Sequence, residues 1–431
     1  MIKREEGFTL VELLITMVVF VLAIAAVSQI FTGLLTQFKQ QSKIIETNIE
    51  GIIGLEILRQ DIASAGYGLP WNITGVTDTD GDGNIWEHLS NYSEAASASS
   101  PNPAGFNDAT KDIDGDGDVG EAPRMIVSGD NVTFSGSNSV FNGSDYLVIK
   151  SISVAGNDTC KKWTTLKVGD VKKTWDIPSE NLTSADRVLV VTPGATQTNT
   201  KSLILSGGFY TRYDNTSGFA PSNNPETRSE TRIVYGIDPA TNPRMPFNRA
   251  DYFITRNRMS GENLTPSRCA SNTGVLVKAI VSHDDGDFDL PLDDGDDGIT
   301  DEMPLLDCVA DMQVIYRFDM NQDGKIGTAS NADGSTIIAD NSGNDGATVA
   351  TVQDALDRAA SIRNVLKEIR VYILAHEGQK DLRYTYPSST IDVGDDGLGR
   401  VFNLATKIGD PEYKYYRWKL YTIVVSPNNL R

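Results

Sequence analysis

The first seventy residues carry two successive hydrophobic patterns. No residue between positions 13 and 38 is charged, and as a helix this stretch would be about 39 Å long, more than the roughly 30 Å hydrocarbon core of a bilayer. The pattern then becomes amphipathic, with apolar residues three or four positions apart at Ile45, Ile49, Ile52, Leu55, Leu58 and Ile62. This spacing predicts one buried face on the second half of the helix, which the glycines and proline of residues 66–70 end.

The remaining chain alternates short apolar runs with long polar loops. Runs rich in Val, Ile and Tyr predict strands at residues 145–154, 187–192, 231–236, 275–281, 312–318, 367–375 and 418–425. Residues 352–366 predict one helix, because Ala355, Ala359, Ile362 and Leu366 share a face. We therefore predict an α+β fold in which a long N-terminal hydrophobic helix packs on a mainly antiparallel β head.

Two segments of the head are rich in Ser, Asn, Gly and Asp. They span residues 77–124 and 328–350, and this composition is typical of loops. We interpret them as loop insertions that decorate the head.

The composition limits the classes of partner. The 431 residues include 38 basic and 58 acidic side chains, a net charge of −20, and 39% of the residues are hydrophobic. This hydrophobic content is enough for a substantial core. The negative charge repels nucleic acid and favours cations as partners.

Glu12 stands at the start of the apolar segment and needs an explanation. A carboxylate in lipid costs about 2–3 kcal/mol even on lenient insertion scales. An ordinary membrane anchor explains the length of the segment but not Glu12. A secretory signal peptide has a small-residue cleavage pattern at Ala23, Ile24 and Ala25, yet the apolar run continues past it into the amphipathic helix.

The residues Gly7-Phe8-Thr9-Leu10-Val11-Glu12 resemble the class III leader of type IV pilins and type II secretion pseudopilins. The resemblance implies that a prepilin peptidase cleaves after Gly7, that Phe8 becomes the methylated N-terminus, and that Glu12 pairs with the Phe8 ammonium of a neighbouring subunit. A negative charge also suits the first turn of a helix. The implied organisation is a leader at residues 1–7, a helix at 8–67 and a head at 68–431.

Three later blocks look like the PilW family of minor pilins. They are residues 59–68, residues 305–314 and residues 416–421. The resemblance implies a structural subunit that starts or caps a type IV pilus, with other minor and major pilins, the prepilin peptidase and the cytoplasmic membrane as partners. It also implies a head outside the cytoplasm, at the cell surface after assembly, and no small-molecule substrate. A type II secretion minor pseudopilin remains an alternative, because the leader is shared.

Three acidic loops place oxygen-bearing side chains at alternate positions before or around a glycine. This is the first half of an EF-hand-type calcium loop, since a hard cation takes six to eight oxygen ligands. None of the three has a carboxylate at its twelfth position, so a ligand from elsewhere would complete the site. At least one calcium site is expected, and it makes a calcium-dependent adhesin at a filament tip a second functional class. The candidate ligands are Asp78, Asp80, Asp82 and Asn84, then Asp112, Asp114, Asp116 and Asp118, then Asp319, Asn321, Asp323 and Lys325.

The three cysteines are too few for a disulfide scaffold. We predict a bridge between Cys269 and Cys308, which flank an acidic stretch, if the head lies outside the cytoplasm. Cys160 would remain a free thiol, and the alternative is that all three are reduced and buried.

The sequence contains no persuasive catalytic constellation. His88, His283 and His376 are scattered, and neither an HExxH motif nor a GxSxG motif is present. Abundant carboxylates leave a glycosidase open. We expect a non-enzymatic protein.

Overall fold

The N-terminal helix, α1, runs without interruption over Leu10–Ala63. After it the chain turns at Gly66 and Gly68, whose φ angles of +77° and +74° are rare for residues with a side chain. A β-carbon on Gly68 would lie 2.3 Å from Ile152, so the turn is pressed against the head. The computed structural model describes residues 9–70, 92–96, 103–109, 123–132, 143–192, 202–203, 209–213, 225, 227–228, 230–239, 241–258, 263–289, 302–339 and 345–430.

The head is built mainly from strands that pair in antiparallel fashion. Two short helices, α2 at Val349–Asp357 and α3 at Ala359–Val365, precede a long strand. In the described residues the strands are β1 Ile126–Val132, β2 Ser144–Ser151, β3 Trp163–Lys167, β4 Val171–Lys172, β5 Arg187–Thr192, β6 Ser202–Leu203, β7 Thr211–Arg212, β8 Thr231–Asp238, β9 Asn248–Thr255, β10 Gly274–Val281, β11 Phe288–Asp289, β12 Met303–Phe318, β13 Thr328–Asn331, β14 Ile337–Ala339, β15 Leu366–Glu377, β16 Thr390–Val393, β17 Arg400–Asn403 and β18 Arg417–Val425.

The main sheet has ten strands in the described part of the chain, and β12 is its central element. The path runs β1-β2-β9-β10-β12-β13-β14, while β11 pairs with β10, and β15 pairs with both β12 and β18. Because β12 is 16 residues long, β10 pairs with its first half and β13 with its second, and β15 lies along its other edge. In the described residues six further strands form a second sheet in the order β4-β3-β8-β5-β6, with β7 beside β5.

One large hydrophobic core joins α1 to the main sheet. Leu58 and Ile62 of α1 are fully buried in the same cluster as side chains of β9, β10, β12 and β15. Each fully buried side chain of this size contributes about 1.5–3 kcal/mol. The predicted fold class, a long N-terminal helix on a mainly antiparallel β head, is confirmed.

All seven predicted strands are present, with shifts at their ends. The largest is in β12, which begins at Met303 and not at residue 312. The strand β9 was not predicted, because Arg249 and Asp251 interrupt the apolar pattern that indicates a buried strand. The structure shows that β9 is buried along its whole length.

The single helix predicted over residues 352–366 is wrong. The chain forms α2 and α3, which are separated at Arg358 by an extended backbone with φ −110° and ψ 125°. At this break, Nη1 of Arg124 donates to the Leu356 carbonyl and to the Asp357 carboxylate, both at 3.1 Å. The Leu356 carbonyl is thereby held by a side chain of a distant segment.

The interpretation of segments 77–124 and 328–350 as decorating insertions is also wrong for their described parts. Within the second segment, β13 and β14 belong to the main sheet, and Thr328 and Ser330 are buried there. Within the first, Glu94 and Asp108 are buried in the head. Small polar residues pair through their backbones as well as apolar ones do, so their composition misled the prediction.

Candidate assembly site

The N-terminus of α1 is capped by reciprocal hydrogen bonds between Thr9 and Glu12. The Thr9 hydroxyl accepts from the Glu12 amide at 3.3 Å, and the Glu12 carboxylate accepts from the Thr9 amide at 3.1 Å and from its hydroxyl at 3.0 Å. This capping box satisfies two amides that the helix itself leaves unpaired. Within one chain Glu12 therefore already has a partner, which the Thr-x-x-Glu spacing could have indicated. Gly7 and Phe8 lie outside the described residues.

Most of the first two thirds of α1 is exposed. Leu10–Ile45 is long and apolar enough to cross a membrane, judged by its length and composition. Its large side chains, from Leu10 to Phe38, are exposed in the isolated chain. A bilayer or the helices of other subunits would cover this apolar surface.

The buried face of the second half of α1 differs from the predicted one. Ile45, Ile49 and Ile52 are 58%, 54% and 60% exposed, so their predicted burial is wrong, whereas Leu55, Leu58 and Ile62 are buried as predicted. Gly51 and Gly54 are buried in the face that meets the head. Glycine carries no hydrophobic signal, so the sequence pattern placed the start of this face on the wrong residues.

Gly51 and Gly54 allow α1 to touch the backbone of β12. A β-carbon on Gly51 would lie 2.7 Å from Cδ1 of Leu306. A β-carbon on Gly54 would lie 1.9 Å from the carbonyl oxygen of Leu305. No side chain fits at Gly54 without a shift of the backbone. We call Gly51, Gly54, Leu55, Leu58, Asp61 and Ile62, with the strands beneath them, the helix–head junction.

Asp61 adds a charged contact to the helix–head junction. Its Oδ2 lies 2.7 Å from Nζ of Lys278 on β10 and accepts from the Tyr252 hydroxyl on β9 at 2.5 Å. Lys278 is buried, and a buried charge is costly when it has no partner. Burial and the adjacent Asp61 charge raise the pKa of Tyr252 well above its usual value. The hydroxyl thus stays protonated and donates to Asp61.

A cluster of six buried charges fixes the described parts of segment 77–124 to the main sheet. Lys150 Nζ lies 2.7 Å from both Glu94 and Asp108, and Asp108 also accepts from Arg124. Burial alone would raise the pKa of Asp108, but Lys150 and Arg124 outweigh it and hold the pKa well below its usual range. This charge cluster comprises Glu94, Asp108, Arg124, Lys150, Arg249 and Asp251.

Two members of the charge cluster, Arg249 and Asp251, lie on β9. Arg249 forms two parallel hydrogen bonds to Asp251, at 2.7 and 2.8 Å, and lies 3.0 Å from Glu94. Three acidic and three basic groups are therefore balanced inside the head. Paired, bidentate charges of this kind tolerate burial, and removal of one partner costs about 3–5 kcal/mol.

The third acidic loop follows β12 directly and wraps around its first carboxylate. Asp319 accepts from the amides of Asp323 and Gly324, both at 2.9 Å, and Asn321 accepts from the Asp323 amide at 3.0 Å. Asp323 accepts from the Lys325 amide at 2.8 Å. The loop thereby gathers its oxygen-bearing side chains on one side. The ligands predicted at residues 78–84 and 112–118 lie outside the described residues.

Asp345 brings a further carboxylate to this loop from a distant part of the chain. Its Oδ2 accepts from the Thr328 hydroxyl at 3.0 Å and faces the Met320 amide at 3.4 Å. The sequence predicts that such a loop needs a ligand from elsewhere, and these two contacts place Asp345 beside the loop.

Cys269 and Cys308 are joined in a disulfide, and Cys160 is a buried free thiol. Burial raises the pKa of the Cys160 thiol to about 11. His376 lies next to the disulfide, and its Nε2 accepts from the Ala270 amide at 2.8 Å. Burial lowers the pKa of His376 to about 3, so a neutral imidazole holds the loop that carries Cys269.

Comparisons with known proteins identify the N-terminal motif. Residues 2–28 match the family model described as the prokaryotic N-terminal methylation motif. None of the curated proteins and none of the solved structures matches the chain significantly. The motif, continuous with the apolar α1, supports a type IV pilin-like or pseudopilin protein. It implies processing by a prepilin peptidase and assembly with other pilins in a membrane, and it is consistent with single-pass anchoring in the inner membrane.

Proposed function

We propose that the protein is a minor pilin, a structural subunit of the complex that starts or caps a type IV pilus. One observation carries this proposal: the methylation motif leads directly into a single 54-residue helix. The first part of that helix is exposed and apolar, and its last turns are fixed on a β head through the helix–head junction. Such a molecule can be held in a membrane and passed into a helical bundle without refolding.

Each part of the molecule has a distinct task in this proposal. The peptidase cuts after Gly7, and Phe8 provides the new ammonium group. Glu12 first caps its own helix and then meets the Phe8 ammonium of a neighbour, because a carboxylate in lipid gains most from a cation. The helix–head junction holds the head in a fixed position relative to the helical bundle, since Gly54 and Asp61 prevent α1 from sliding or turning on the sheet.

The proposal is tested by deletion of the gene and by quantitative mass spectrometry of sheared surface filaments. We expect few filaments in the deletion strain, and in the wild type a small amount of this chain relative to the major pilin. Unchanged filament numbers together with absence of the chain from filaments would contradict the proposal. Loss of protein secretion with normal filaments would instead indicate a type II secretion pseudopilin.

A second candidate function, a calcium-dependent binding module at a filament tip, is favoured by Asp345. This carboxylate lies beside the loop of residues 319–325, since its Oδ2 faces the Met320 amide at 3.4 Å, and the loop lacks the carboxylate that usually stands at the twelfth position. We propose that Asp319, Asn321 and Asp323 hold one calcium ion with the help of Asp345. The Lys325 carbonyl stands at the seventh position of such a loop, where the backbone supplies the ligand.

Calorimetry with calcium at millimolar concentration tests this candidate. Asp345→Asn should lower the number of bound ions by one relative to the wild type, because the other two acidic loops are unchanged. Asp392→Asn serves as the control, since Asp392 is exposed and distant in sequence from the loop. Equal uptake by Asp345→Asn and the wild type would exclude Asp345 as a ligand.

A further inference from the structure

The β3–β4 hairpin is a basic region on a strongly acidic protein. Residues 161–173 contain five lysines and one aspartate, and thus four net positive charges, while the rest of the chain has twenty-four net negative charges. A local reversal of sign attracts anions to one place on a surface that otherwise repels them.

One face of this hairpin points outward. Trp163, Thr165 and Lys167 alternate along β3 and so share one side, and none of them is buried. Thr164 and Leu166, on the opposite side, are buried. Lys173 continues this outward face, because its amide donates to the Thr165 carbonyl at 3.1 Å.

Two of the lysines on the outward face are available for a ligand. Lys167 and Lys173 form no ion pair with any part of the chain that the structure describes. Lys172, in contrast, lies 2.9 Å from Asp170. The Lys173 ammonium stays near the face of Trp175, 3.7 Å from the ring centre, and this cation–π contact keeps the charge next to the aromatic surface.

The same face carries a pair of tryptophans. The rings of Trp163 and Trp175 meet at 66° with centres 4.9 Å apart, and the Trp175 Nε1 donates to the Trp163 carbonyl at 2.7 Å. Trp163 remains 37% exposed, and Val171 and Ile177 nearby in sequence are more than half exposed. The pair is thus held rigidly while part of its apolar surface faces solvent, a composition that favours recognition of a ligand.

We propose that the outward face of the β3–β4 hairpin binds an acidic polysaccharide. Trp163, supported by Trp175, offers an apolar surface to a sugar ring, Lys167 and Lys173 pair with the carboxylate or sulfate groups, and the Thr165 hydroxyl is available to bond a sugar hydroxyl. Nucleic acid is the less favoured polyanion. Its dense phosphate charge would be repelled more strongly by the acidic remainder of the chain.

Binding measurements on the full chain in detergent micelles test the proposal independently of filament assembly. The immobilised probes are polygalacturonate, single-stranded oligothymidylate and neutral dextran, in about 150 mM salt, where charges more than about 8 Å apart are largely screened. We expect binding to polygalacturonate, weaker binding to oligothymidylate and none to dextran.

Four variants locate the binding face. Lys167→Gln and Lys173→Gln should each weaken polygalacturonate binding about tenfold, the effect of losing one charge-assisted contact. Trp163→Ala should also weaken it, with a melting temperature measured in parallel to verify the fold. Lys407→Gln is the matched control, because Lys407 is exposed and lies outside the hairpin. The proposal is overturned if the wild type binds no polygalacturonate, if Lys407→Gln is equally impaired, or if oligothymidylate or dextran binds more tightly.

Discussion

Gly54 of α1 lies against Leu305 of β12 so closely that a β-carbon on Gly54 would be 1.9 Å from the Leu305 carbonyl oxygen. This contact holds α1 directly against the backbone of β12. Around it Ile45, Ile49 and Ile52 are exposed, whereas Leu55, Leu58 and Ile62 are buried. The helix–head junction therefore depends on the missing side chain of Gly54 as much as on the apolar side chains of Leu55, Leu58 and Ile62.

Substitution of Gly54 should weaken the helix–head junction. Gly54→Ala forces α1 away from β12 and should lower the free energy of unfolding by about 1–3 kcal/mol, the usual effect of overpacking. The measurement is thermal unfolding of the full chain in detergent. Gly33→Ala is the matched control, because a β-carbon at Gly33 meets nothing within 4 Å. An unchanged melting temperature for Gly54→Ala would contradict the close contact.

Removal of the Asp61 charge should leave Lys278 buried without its partner. Asp61→Asn is expected to cost about 3–5 kcal/mol, measured by denaturant unfolding. The double variant Asp61→Asn with Lys278→Met should recover much of this loss, because the unpaired ammonium is gone. If the two substitutions have simply additive effects, the 2.7 Å contact does not couple α1 to β10.

Two substitutions at Glu12 separate its two roles. Glu12→Gln can still accept from Thr9 and keep the capping box, but it has no charge for the Phe8 ammonium of a neighbour. We expect Glu12→Gln and Glu12→Ala to be cleaved normally and both to enter filaments poorly, as measured by immunoblots of sheared filaments. Normal incorporation of Glu12→Gln would show that capping alone is the function of this residue.

His283 should make the stability depend on pH. It is buried, its Nδ1 accepts from the Arg244 amide at 3.2 Å, and its Nε2 bonds Asn248 at 2.9 Å. Burial lowers its pKa from 6.5 to about 4. Between pH 6.5 and 4 this imidazole is therefore protonated in the unfolded chain but neutral in the folded chain. The contribution of His283 alone is a loss of about 3 kcal/mol of stability as the pH falls from 6.5 to 4.

The pH effect is measured as the difference between two chains. Asp311 acts in the opposite direction, because burial raises its pKa to about 6 and it takes up a proton in the folded state first. The unfolding free energy of His283→Gln should therefore fall less steeply between pH 6.5 and 4 than that of the wild type. Parallel curves for the two chains would exclude His283 as the cause.

The sequence predicts those parts of the fold that have a strong periodic or compositional signal. The apolar length of α1, the seven strands rich in Val, Ile and Tyr, and the leader motif are all of this kind. Glycine contacts carry no such signal, and the face of α1 that meets the head was accordingly placed on Ile45, Ile49 and Ile52, which are exposed.

Charged residues misled the prediction for a different reason. Arg249 and Asp251 read as surface residues, yet each is buried because its charge is paired within the cluster that Glu94, Asp108, Arg124 and Lys150 complete. These partners are up to 155 residues apart in the chain. Only the folded topology brings them together, so no local pattern could have revealed them.

The central claim is that the chain is cut after Gly7 and enters a membrane-held assembly with Phe8 at its N-terminus. Intact-mass and N-terminal peptide mass spectrometry of the protein extracted from its native membranes tests this most directly. The account predicts one mature form that begins at N-methylated Phe8. A form that retains residues 1–7, or one that begins after Ala25 and is recovered free of the membrane, would contradict it.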